Sequence, residues 1–133
     1  MSVGLDTSVT LRLLTGAPAA QAEQARAALA GSAEPAAVSD LVVGETYFAL
    51  RHHYGVPEAD VLRALHALLS DPKVRGAGAA PAVVAELAGR PGRARPALMD
   101  RLIHADYQRD ALVVLTFDRE LAALPGARRP GDA

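Results

Sequence analysis

The chain has 133 residues, half of them hydrophobic but only 4% aromatic, which suits one domain with a core built from Ala, Val and Leu. The lack of cysteine excludes disulfides and thiolate metal sites, and no apolar run reaches the length of a membrane span. A net charge of −1, with Lys73 as the single lysine, argues against a nucleic-acid binder that relies on a basic surface alone.

No basic leader or signal-like stretch precedes Asp6, so a cytoplasmic protein is the default expectation. Residues 2–5 (SVGL) read as a short buried strand. Asp6, Thr7 or Ser8 caps the helix begun by VTLRLL, which Gly16 and Pro18 end. Residues 18–30 read as an Ala-rich amphipathic helix stopped by Gly31, and residues 36–38 (AAV) as a second strand. Ser39 or Asp40 then caps a helix reaching about His53, with Gly55 at its stop and Pro57 beyond. Over residues 57–69 the spacing places Val61, Leu62, Leu65, Leu68 and Leu69 on one helical face.

Lys73–Arg75 is a third strand candidate, Ala80–Ala88 a helix, and "GRPGRARP" a basic loop. Leu98–Arg109 is predicted helical, with Leu98, Leu102, Ile103 and Ala105 on its apolar side. Residues 111–116 (ALVVLT) form the strongest strand pattern, and Asp118–Leu124 a closing helix. The domain is placed at 1–127 and a flexible tail at 128–133. Strands alternating with helices imply an α/β fold, a three-layer α/β/α sandwich around a parallel sheet of four to five strands.

Four acids stand out against this background. Asp6 and Asp118 each follow an apolar run and precede a helix, at the C-terminal end of a strand. Glu45 and Asp100 each interrupt an apolar helical face. A carboxylate in apolar surroundings is expensive unless it is paired or bound to a cation, and carboxylates from distant segments suit a hard divalent metal. Each has a plain alternative. Asp6 and Asp118 could be helix caps, the latter with Glu120 in its first turn. Glu45 could be a half-exposed helix residue, and Asp100 could pair with Arg101 or His104. Their conjunction favours a site, because ligand crevices in open parallel sheets lie at these strand ends. Setting the four aside leaves the remainder of the chain net positive, and a bound cation bridges carboxylate to phosphate.

Other motifs are weaker. "GAGAAP" at Gly76–Pro81 has Pro81 where a dinucleotide fingerprint needs its third glycine. No G-x-S-x-G elbow exists, and the only lysine is not placed as a phosphoryl-transfer receiver needs. The adjacent His52 and His53 are expected to be solvated or capping. His104 lies one turn after Asp100 on the same face.

"VGLDTSVTLRLL", "VSDLVVGETYFALRHHYG", "MDRLIHADY" and "LVVLTFDRELAALPGA" together resemble the PIN-domain ribonucleases, nearest to the VapC-like toxins of bacterial toxin–antitoxin pairs. The resemblance implies that Asp6, Glu45, Asp100 and Asp118 hold one or two Mg²⁺ or Mn²⁺ ions, with Ser8 and Thr116 orienting those carboxylates. Ser8 stands where relatives often carry asparagine, and neutral Pro96 and Ala97 where some carry a further acid. Arg12, Arg93, Arg95 and His104 are candidates for RNA contacts. The implied partners are an RNA substrate, a cognate antitoxin and a second copy of the chain, with no membrane. A catalytically silent PIN-like binding module is the alternative.

Overall fold

The computed structural model describes residues 3–90, 92 and 95–132. In chain order these form α1 (Thr7–Thr15), α2 (Ala19–Gly31), β1 (Ala36–Val38), α3 (Asp40–His52), α4 (Glu58–Leu69) and β2 (Val74–Gly76). Then follow α5 (Ala80–Ala88), α6 (Leu98–Arg109), β3 (Val114–Leu115), the short α7 (Arg119–Ala122) and β4 (Ala127–Arg128). Most expected boundaries are met within a residue or two. Among the described residues no helix is long and apolar enough to cross a membrane.

The core forms around β1, whose Ala36 and Val38 are wholly buried. β1 pairs in parallel with β2, Ala36 opposite Val74 and Val38 opposite Gly76. Against these strands pack Val43 and Leu50 of α3, Val61, Leu62 and Leu65 of α4, Val84 of α5, and Leu98 and Leu102 of α6. Each large aliphatic residue removed from water here stabilises the fold by about 1.5–3 kcal/mol. Two buried hydroxyls join α1 to α3: Thr10 Oγ1 and Thr46 Oγ1 share a hydrogen bond of 2.8 Å.

The strand system is smaller than the sequence leads one to expect. In place of a strand over 2–5 there is a single parallel bridge, Gly4 to Ala37. The Leu5 N–H donates to Ala37 O and the Ala37 N–H to Val3 O, both at 2.8 Å. The predicted six-residue strand 111–116 is reduced to Val114–Leu115, which pairs in parallel with β4. Leu112, Val113 and Leu115 remain 49%, 56% and 57% exposed, and among the described residues β4 is the single strand that pairs with this segment. The described residues therefore hold two separate two-stranded parallel sheets, not one continuous sheet of four to five strands. β4 also takes Arg128, the first residue of the expected tail, into a ladder through Thr116 N–H to Arg128 O at 3.1 Å.

"GAGAAP" has a structural explanation. A side chain at Gly76 would collide with Pro81. One at Gly78 would sit 2.5 Å from Asp40 Oδ2. Both Asp40 oxygens accept hydrogen bonds there, from the N–H groups of Ala79 and Ala80, each at 2.9 Å. Asp40 thus caps α5 across space, while Ser39 caps α3 by accepting from the Val42 N–H at 3.2 Å.

Candidate active site

Asp6 sits at the N-cap of α1 in extended conformation, exposed, and its side chain makes no capping bond. Its plain structural explanation therefore finds no support in the geometry. The next residue does the connecting work: Thr7 Oγ1 donates to Glu45 Oε1 at 3.0 Å. The buried Thr10–Thr46 pair one turn further along holds the same two helices in this relation. Ser8, expected to orient the acids, lies exposed on the first turn of α1. Thr7 takes that role for Glu45, and the adjacent hydroxyl in "DTS" was the available signal.

Asp118 is a cap, accepting from the Leu121 N–H at 2.9 Å. Thr116 Oγ1 accepts from the Asp118 N–H at 3.0 Å, a bond to the backbone and not to the carboxylate. Asp100 faces Asp118 and Glu120 from α6. Partial burial, then the charges of Asp118 and Glu120, raise its pKa above the ordinary 3.8. Glu120 is the acid that sequence reasoning took only for a helix-start residue; its place two residues after Asp118 brings it beside α6. The partners suggested for Asp100 are engaged elsewhere. Arg101 lies 3.7 Å from Glu86. His104 Nε2 is 2.6 Å from Pro125 O, tying α6 to the turn before β4.

By the elements that carry them the acids fall into two sets: Asp6 and Glu45, linked only through Thr7, at α1 and α3, and Asp100 with Asp118 and Glu120 at α6 and α7. The helices that carry Glu45 and Asp100, α3 and α6, pack together. Gly44 permits that approach, since a side chain there would run into Met99, the neighbour of Asp100. Thr7, Glu45 and Met99 line one shared depression. Among the described residues, however, no three of His, Asp and Glu are grouped closely enough to hold a metal ion together. The donors fit a hard divalent cation in kind, being carboxylate and hydroxyl oxygens with an uncompensated charge at Asp100. They do not form a ready-made cage.

Of the residues suggested for RNA, Arg12 donates from Nε to Gln21 Oε1 at 2.7 Å and so braces α1 on α2. Arg95 Nη1 lies 3.5 Å from Glu120 Oε1, at the edge of the second acid set. Arg93 lies outside the described residues.

No curated protein and no solved structure matches the chain. A family model for the PIN domain matches residues 3–127, a span that contains Asp6, Glu45, Asp100 and Asp118. With nearly its whole length matched in this way, the chain belongs to the PIN domain family.

Proposed function

We propose that the protein is a metal-dependent endoribonuclease that hydrolyses RNA phosphodiester bonds, and that it is the toxin of a toxin–antitoxin pair. The family match over residues 3–127 carries this reading, since PIN domains are generally nucleases. The two acid sets, carried partly on the packed helices α3 and α6, support it. Mg²⁺ or Mn²⁺ held by Asp6, Glu45, Asp100 and Asp118 would supply charge neutralisation at the phosphoryl oxygens and activation of water. Thr7 donates to the Glu45 carboxylate and the Leu121 N–H to that of Asp118, so protein groups hold both. Burial, then the charges of Asp118 and Glu120, raise the pKa of Asp100 and so ease proton uptake there. Arg95, paired with Glu120 at 3.5 Å, would meet an RNA phosphate.

For all four acids to serve one ion, the segment 3–5 and β3 must approach as neighbouring strands of a single sheet. The exposed apolar residues Val3, Leu112 and Val113 support that closure, which would bury them. A homodimer and a cognate antitoxin complete the proposed assembly. One observation favours the other reading, a silent PIN-like binding module: the acids are not grouped as a metal cage among the described residues.

Cleavage of a mixed pool of single-stranded and structured RNA with Mg²⁺ or Mn²⁺ separates the two. Asp6→Asn and Asp118→Asn are expected to reduce cleavage to background with melting unchanged or improved, since asparagine still caps a helix. Wild-type cleavage matched by both variants would remove these acids from the mechanism.

A further inference from the structure

The exposed face of α3 carries an aromatic cluster that neither the core nor the acids explain. Phe48 is 53% exposed although it belongs to a helix that supplies much of the core. Its ring centroid lies 4.5 Å from that of His52 at a tilt of 51°, and 6.2 Å from that of His53 at 72°. These separations suit attractive ring pairs, so the two imidazoles fix the phenyl ring without covering it. His53 also closes α3, its N–H donating to Ala49 O at 2.9 Å. Adjacent in sequence, the two histidines flank one ring, an arrangement the sequence did not suggest.

Beside Phe48 is the depression of about 470 Å³ lined by Gly44, Glu45, His53 and Met99. That volume is in the range of small-ligand sites, roughly 300–1,000 Å³. We propose that it receives one unstacked base of a single-stranded RNA, its face against Phe48. The inference rests on the nuclease reading and specifies the form of substrate that the site takes. Three features point to a base. Among the described residues the lining contains no Arg or Lys and does contain the Glu45 carboxylate, which suits an uncharged planar group better than a phosphate. Met99 supplies a polarizable thioether wall from α6, seated against Gly44 of α3. Glu45 lies three residues before Phe48 on the same helical face, so a base stacked there sets its sugar–phosphate beside the acids. Bases within a duplex cannot reach such a ring, whereas those of a single strand can.

The chain has no tryptophan, so Phe48→Trp provides a single fluorescent reporter that keeps an aromatic face. In EDTA, a mixed-sequence single-stranded RNA should quench it and the corresponding duplex should not. Phe48→Ala should raise the Kd for the single strand by roughly 5- to 100-fold, the effect of losing one stacked base. Phe48→Leu should lose as much as Phe48→Ala, because an apolar side chain without a ring does not stack. The salt dependence of binding should stay unchanged, since no phosphate contact is removed. An unquenched tryptophan on bound RNA, an alanine variant that binds like wild type, or a wild type that binds no single strand would each overturn the proposal. So would a change in sedimentation of the RNA-free alanine variant, which would assign the face to a protein interface. Quenching without any cleavage in Mn²⁺ would keep the base site and remove the nuclease reading. Cleavage with an unchanged KM in Phe48→Ala would do the reverse.

Discussion

Asp6 and Asp118 look alike in sequence, each an acid between an apolar run and a helix, yet their side chains differ in use. Asp118 accepts from the Leu121 N–H at 2.9 Å, while Asp6 makes no capping bond. Asp118→Ala should therefore cost about 1 kcal/mol in denaturant unfolding, and Asp6→Ala much less. Asp100 is set apart by its neighbours. Its pKa in the folded protein lies above the ordinary 3.8, first through burial and then through Asp118 and Glu120. The stability that Asp100 contributes is therefore complete below pH 3.8 and lost as pH rises through the raised value. In EDTA, Asp100→Asn should melt above wild type at neutral pH, and the gap should close as pH falls toward 3.8. Thermal scans across that range check it; a gap that does not change with pH would detach the effect from this carboxyl.

At the scale of elements, the start of α5 depends on a side chain from α3. Asp40 accepts from the N–H groups of both Ala79 and Ala80, two donors that the helix itself cannot satisfy. Asp40→Ala should cost about 1–2 kcal/mol, the loss of a good cap. Gly78→Ala should cost a similar amount by a different route. Its new side chain would meet Asp40 Oδ2 at 2.5 Å, and Asp40 has no way to move without releasing both bonds. The two effects should not add in the double variant, because they remove the same interaction. Full additivity in unfolding titrations would show that Gly78 is needed for something else. Gly44 behaves differently. Its crowding partner is the flexible, partly exposed Met99 side chain, so Gly44→Ala should be near neutral, the helix gain of about 1 kcal/mol offsetting the displaced thioether.

Across the whole molecule, the described residues hold two small sheets, and the proposed metal site requires the two acid sets to come together. A divalent ion that binds only the gathered carboxylates stabilises that form by mass action, about 2.7 kcal/mol at a hundredfold excess over Kd. Added Mn²⁺ should therefore raise the melting temperature relative to EDTA and slow amide exchange at Val113 and Leu115. Neither change should occur in Asp118→Asn. Equal midpoints with and without Mn²⁺ would favour the silent binding module.

Local pattern determined most of the elements. The 3.6-residue spacing of Val61, Leu62, Leu65 and Leu68 placed α4, and all four are buried. α5 and α6 begin and end where the pattern of apolar residues and breakers set them. The family, too, was legible in the "DTS", "GETYF", "MDRLI" and "TFDRE" segments. Apolar content alone did not determine strand length. "ALVVLT" is as apolar as any segment here, yet a strand needs partners for its backbone groups, and among the described residues only β4 provides them. The bond from Thr7 to Glu45, the cap that Asp40 lends to α5, and the pressure of Glu120 on Asp100 were decided by the tertiary structure. Each joins residues far apart in the chain, and hydrophobic periodicity records which face of a helix is buried without recording what lies opposite it.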